Sequence, residues 1–142
     1  MDAKRLLTGA VGGGLAMFAI GWLVFDKAFG SFYDASSSLP ASAIRDTPIL
    51  WAWVAGSVAL AILVTFALTW AGATSFGSGF KVGAIVGFLV WLGVDLLRYS
   101  NIHDLNLTVT LLDPALEIIR TGLVGGILAL VLSRVSNGGG GE

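Results

Sequence analysis

The chain has 142 residues, of which 56% are hydrophobic and 12% are charged, and its formal net charge at pH 7 is −1. Soluble domains carry about 25% charged residues, so this composition places the chain among membrane proteins. The near-zero net charge argues against a nucleic-acid-binding protein, because such proteins carry an excess of basic residues. The sequence contains no cysteine, which excludes a disulfide framework and thiolate metal sites.

The first apolar segment follows two basic residues and continues too far for a cleaved signal peptide, so it is predicted to remain as a span. With it, four apolar segments predict an all-α membrane protein, a four-transmembrane-helix bundle with short loops. Each segment approaches the ~20 residues that a helix needs to cross a bilayer. The segments cover residues 6–25, 49–71, 80–99 and 114–133, the last with a possible earlier start at Leu107.

Residues 1–136 are therefore predicted to form a single transmembrane domain, followed by a flexible Gly-rich tail over residues 137–142. Three glycines, Gly72, Gly77 and Gly79, predict the short second loop. Asp113 followed by Pro114 is typical of a helix start, with Asp as the N-cap and Pro at the first helical position.

The basic residues near the span ends predict the orientation. Four of them fall on one side of the predicted topology, namely Lys4, Arg5, Lys81 and Arg134, and two fall on the other, Lys27 and Arg45. Because Lys and Arg are enriched in cytoplasmic loops, both termini are predicted to be cytoplasmic. The expected location is a prokaryotic inner membrane.

Glycine accounts for 20 of the residues and forms GxxxG patterns that include those beginning at Gly9, Gly83 and Gly122. Glycine lets two helix backbones approach closely, so these patterns predict tight helix–helix contacts. The contacts can lie within one bundle, or they can form the seam of a homo-oligomer.

Charged residues inside the last two apolar segments are the main candidates for function. They are Asp95, Arg98, Asp113, Glu117 and Arg120. Spacings of three and four residues place such side chains on one face of a helix. In the predicted topology these groups converge at one depth in the outer third of the bundle, with Asp26, Lys27, Arg45 and Asp46 at a similar depth.

Three interpretations of this cluster remain open, because a charge inside a span requires a partner, water or a function. The charges can be structural, with ion pairs that tie the third helix to the fourth. They can form a binding pocket or a proton path. They can also form a polar face that docks another membrane subunit.

The sequence predicts neither an enzyme nor a cofactor. His103 is the single histidine, and alone it cannot form a multi-histidine metal site. No phosphate-binding loop, dinucleotide fingerprint or nucleophile elbow occurs. The expected partners are the lipid bilayer and either further copies of the chain or another membrane protein.

Two stretches resemble small four-helix prokaryotic integral membrane proteins of unknown function. One runs from Gly21 and Trp22 to Phe25, Phe29 and Gly30, and the other comprises residues 111–117 followed by the Leu- and Gly-rich residues 122–128. The resemblance implies a four-span fold and carries over no activity and no site residues.

The favoured functional hypothesis is binding or transport of a small solute, an ion or protons at the charged cluster. The alternative is a non-catalytic accessory or assembly subunit of a larger membrane complex.

Overall fold

The computed structural model describes residues 3–36 and 45–137, and every regular element in this part of the chain is helical. The α-helices are α1 (Ala3–Thr8), α2 (Gly14–Gly21), α3 (Gly30–Ser36), α4 (Leu50–Trp70), α5 (Phe76–Asn101) and α6 (Leu107–Asn137). Two π-helical segments, Gly9–Gly13 and Trp22–Ala28, adjoin α2. The predicted tail begins where α6 ends, and residues 138–142 lie outside the described part.

Four helical segments are long and apolar enough to cross a membrane, which confirms the predicted number of spans. They are Ala3–Ala28, here called the first span, Leu50–Trp70, Phe76–Asn101 and Leu107–Val135. Most of them extend beyond the predicted limits, because helical hydrogen bonding continues past the ends of the purely apolar runs.

The predicted loop at Gly77 and Gly79 is wrong, because α5 begins at Phe76 and includes both glycines. The helix start is fixed by a capping box between Ser75 and Ser78. The Ser78 backbone N–H donates to the Ser75 hydroxyl at 3.2 Å, and the Ser75 backbone N–H donates to the Ser78 hydroxyl at 3.1 Å. Of the three glycines, only Gly72, with a φ of 62°, lies in the turn.

The predicted helix start at Asp113 and Pro114 is also wrong, and the earlier start at Leu107 is confirmed. The Thr108 backbone N–H donates to the Asn106 side-chain oxygen at 2.8 Å, the usual role of an N-cap residue. Pro114 lies inside α6. Its ring leaves the carbonyl of Thr110 without the usual helical donor.

The fourth span is the central helix of the bundle. In its most apolar window 61% of the residues are buried, against 17–28% in the other spans. Its side chains Val124, Leu128 and Leu132 form the core with Met17 and Leu68. Because α6 contacts the first span, α4 and α5, each of these packs against a common helix.

The closest approach in the bundle lies between α5 and α6, which form its most extensive helix pair. Gly79 lies against the backbone of Gly125, and Gly83 lies against the backbone of Thr121. One turn further on, Gly87 lies against the Thr121 side chain and the Glu117 carbonyl. The two helices are therefore antiparallel, and their backbones touch along a face of α5 that carries no side chains.

The GxxxG patterns all pack inside this chain. Gly9 lies against Thr65, and Gly13 lies against Ala61 and Leu128. The third pattern, beginning at Gly122, lies under aromatic rings of α5. The internal interpretation of these patterns therefore accounts for their contacts.

Replacing Gly83 by alanine is expected to destabilise the bundle by about 1–3 kcal/mol, the usual cost of overpacking. A Cβ atom at this position would overlap the carbonyl oxygen of Thr121, which is backbone and cannot rotate away. Thermal unfolding in detergent measures the effect. Gly93→Ala, on the same helix with nothing within 4 Å of the added carbon, is the control, and equal melting of the two variants would contradict the close packing.

Candidate functional site

The deepest charged group is an ion pair within α6. Arg120 Nη2 lies 2.9 Å from Glu117 Oε1, and Arg120 Nε donates to Glu117 Oε2 at 3.1 Å. The Thr121 hydroxyl donates to the same Oε2 at 2.7 Å. All three residues are buried. The carboxylate is satisfied by a two-pronged contact with the guanidinium and by one hydroxyl, which suits a charge removed from water.

A second ion pair lies within α5, near the C-terminal end of that helix. Arg98 Nη1 is 3.4 Å from Asp95 Oδ1, while Asp95 is buried and the Arg98 side chain is 48% exposed. Asp95 Oδ2 is buried and finds no hydrogen-bond partner among the described residues. Each of these ion pairs thus forms within a single helix. Among the described residues no ion pair joins the third span to the fourth, which the structural interpretation of the cluster had expected.

Asp113 is held by a residue from the other side of the bundle. Helix α3 follows the first span and places the Tyr33 hydroxyl so that it donates to Asp113 Oδ1. The Tyr33 ring packs against Phe25, with centroids 6.0 Å apart. Burial raises the pKa of the Tyr33 hydroxyl, and the hydrogen bond to the Asp113 carboxylate raises it further.

These groups line a cavity of about 220 Å³. Its walls combine three aromatic and three ionisable side chains, namely Phe25, Tyr33, Trp91, Asp113, Glu117 and Arg120. The guanidinium of Arg120 also lies over the Phe25 ring, 5.3 Å from its centroid. The cavity therefore lies between the end of the first span, α3, α5 and α6.

The predicted cluster is brought together only in part, because its members do not share one depth. Gly87 lies beside Glu117, and Asp95 is eight residues further along α5, a distance of about 12 Å. Asp95 and Arg98 interact electrostatically with Asp113 and form an outer level. Glu117 and Arg120 form an inner level, and Arg120 is about 20 Å from the start of α6, near the middle of that span.

The other charged residues expected at this depth lie outside the cluster. Asp26 and Lys27 form an exposed ion pair of 3.3 Å, with the Lys27 ammonium over the Trp22 ring. Arg45 and Asp46 are exposed. Among the described residues, no group of three or more His, Asp or Glu side chains could hold a metal ion.

Sequence reasoning missed four residues that complete the site: Phe25, Tyr33, Trp91 and Thr121. For Thr121 a signal existed, since it lies one turn after Glu117, and the same is true of Trp91, one turn before Asp95. For Tyr33 there was none, because its approach to Asp113 depends on how α3 turns back toward the bundle.

Fold and site together define a small integral membrane protein with four candidate spans and a charged cavity. No protein-family model matches the chain, no curated protein matches it, and no solved structure matches it. The architecture is consistent with the resemblance noted in the sequence, and the comparisons identify no family.

Replacing Arg120 by methionine is expected to lower the free energy of unfolding by about 3–5 kcal/mol, because it leaves the Glu117 carboxylate buried without its partner. Thermal unfolding in detergent measures the loss. Adding Glu117→Gln is expected to restore part of it, since the uncompensated charge is removed. Arg98→Met should cost less, because its side chain is 48% exposed; equal losses at both arginines, or no recovery in the double variant, would contradict this account.

Replacing Tyr33 by phenylalanine is expected to destabilise the protein by about 1.5–3 kcal/mol at pH 7, the value of a hydrogen bond to a carboxylate. The difference from wild type should shrink above about pH 10. The pKa of the Tyr33 hydroxyl is higher in the folded protein than in the unfolded chain, where it is about 10. Its contribution to the free energy of unfolding is therefore complete below about pH 10 and is lost as the pH rises toward the folded-state pKa.

Melting temperatures of the wild type and of Tyr33→Phe from pH 7 to pH 11.5 test this dependence. Tyr99→Phe, which removes the hydroxyl of an exposed tyrosine, is the control. A difference that stays constant up to pH 11.5 would show that the Tyr33 hydroxyl is not held in its protonated form by the fold.

Proposed function

We propose that this protein binds a small solute or an ion, or relays protons, in the cavity lined by Asp113, Glu117 and Arg120, and that it acts in transport. The observation that supports this most directly is the cavity itself, about 220 Å³ bordered by charged side chains within membrane-length helices. At ~30 Å³ per molecule, that volume corresponds to about seven waters.

The cost of placing charge inside a span supports a functional role. Insertion of one charged residue at the centre of a membrane helix costs ~2.5–3.5 kcal/mol, and α6 carries Glu117 and Arg120 near its middle. A purely structural pair gains little over well-packed apolar residues of similar size. An ion pair that borders a cavity can contact a solute or exchange protons, and such a role would account for charged residues at this depth in the span.

The proposal includes an orientation. Lys4, Arg5, Lys81 and Arg134 lie near the span ends away from the cavity, and by the positive-inside rule they support an orientation with both termini in the cytoplasm of a prokaryotic cell. The cavity then lies in the outer half of the inner membrane. Because one chain encloses little volume, the functional unit is proposed to be a homo-oligomer.

The second candidate is a non-catalytic accessory subunit of a larger membrane complex, and Arg98 favours it. Its side chain is 48% exposed although it lies within a candidate span, and its partner Asp95 is buried. A partner subunit that supplies an acceptor to Arg98 would account for this exposure. Copurification from native membranes separates the two candidates, since an accessory subunit travels with its complex.

Reconstitution in liposomes tests the first proposal. Proton flux is followed with a trapped pH-sensitive dye, and solute binding is screened in detergent by thermal shift. Glu117→Gln and Asp113→Asn are expected to reduce flux or binding at least tenfold, because both acids line the cavity. Asp26→Asn, at an exposed acid of the same bundle end, is expected to match wild type. If wild type shows neither flux above empty liposomes nor any solute shift, the proposal is wrong.

A further inference from the structure

The cavity contains two sets of aromatic and acidic side chains, and only one of them already holds a cation. In the first set, Arg120 is paired with Glu117 and lies over the Phe25 ring, 5.3 Å from its centroid. A carboxylate that supplies the counter-charge and an aromatic ring that packs against the cation are the groups with which proteins bind guanidinium and ammonium ions.

The second set consists of Asp113, Tyr33 and Trp91, which line the same cavity. Asp113 accepts a hydrogen bond from the Tyr33 hydroxyl, a neutral donor that brings no positive charge. Among the described residues, no Lys or Arg lies within ion-pair distance of Asp113, and Arg98 acts on it only at longer range. With both acids ionised and Arg120 protonated, the cavity wall carries one net negative charge.

Trp91 also lies in the cavity wall. Its indole N–H is buried and finds no acceptor among the described residues. An indole nitrogen only donates, so a ligand oxygen that reaches it would satisfy a donor that a bare cation leaves unpaired. The volume of about 220 Å³ lies below the ~300–1,000 Å³ of pockets for drug-sized ligands.

We propose that the cavity binds a small organic ammonium ion that carries a hydroxyl or carbonyl oxygen. Asp113 supplies the counter-charge, the rings of Tyr33 and Trp91 form the walls, and the Trp91 N–H donates to the ligand oxygen. This inference rests on the proposed binding function and names its ligand class. An aromatic wall favours an organic ammonium over a metal ion, because a ring face replaces part of the cation's hydration only when that hydration is weak.

Choline and its neutral isostere 3,3-dimethylbutan-1-ol form the decisive pair of probes, because they share shape and hydroxyl and differ in charge. Isothermal titration calorimetry on the purified full chain in detergent is expected to show choline binding at least tenfold tighter than the isostere. Equal affinity for both, or no binding of choline at millimolar concentration, would overturn the inference. This comparison uses the wild-type protein and does not depend on any variant folding.

Two variants assign the contacts. Asp113→Asn is expected to weaken choline binding at least tenfold, whereas Asp26→Asn should leave it unchanged. Trp91→Phe is expected to weaken choline binding more than binding of tetramethylammonium, which has no oxygen, and Trp70→Phe, at a residue 79% exposed, is its control. If Asp113→Asn binds choline as tightly as wild type, Asp113 is not the counter-charge and the inference is wrong.

The result also separates this inference from the proposal on which it rests. If choline and tetramethylammonium fail to bind while proton flux or another solute shift is observed, the ligand class is wrong and the binding or transport function stands. If flux, the solute screen and both cations all fail, both proposals fall.

Discussion

The close approach of α5 to α6 is the contact on which the rest of the structure depends. Gly79, Gly83 and Gly87 let the backbone of α5 lie directly on α6. In lipid, apolar side chains gain little by leaving the bilayer for a helix interface, so close backbone packing must supply much of the association. This contact covers one side of α6, and the first span and α4 pack against other parts of it. As a result α6 is the most buried span, although side chains that include Leu111, Ile119 and Ile127 stay exposed.

The burial of α6 determines what its charged residues can do. Glu117 lies where Gly87 presses against the helix, so its carboxylate is enclosed and must find partners within reach. Arg120 and Thr121 supply them from the next turn of the same helix. Because each ion pair closes within its own helix, the charges do not lock α5 to α6. The link across the bundle is instead the hydrogen bond from Tyr33 to Asp113, which brings α3 over the cavity.

The number of spans and their helical structure could be predicted from the sequence, because the length and hydropathy that a spanning helix needs are set by the bilayer and not by tertiary contacts. The ends of α5 and α6 were harder. Gly77 and Gly79 look like loop residues until their packing partner is known, and Asp113 with Pro114 imitates a helix start that Asn106 provides. The buried acids could be predicted as site residues, because a charged residue inside an apolar segment is rare. Tyr33 and Phe25 could not be predicted, since aromatic residues are common in such chains and their place in the site depends on tertiary contacts.

The central position of α6 also bears on how the protein is made. The helix against which all the others pack is the last of the described spans to leave the ribosome. Synthesis of residues 102–137 takes about 2–7 s at 5–20 residues per second. Until α6 reaches the membrane, the row of glycines on α5 lacks the helix against which it packs, and the first span has α4 as its packing partner. Completion of the bundle is therefore a late event, set by the arrival of one helix.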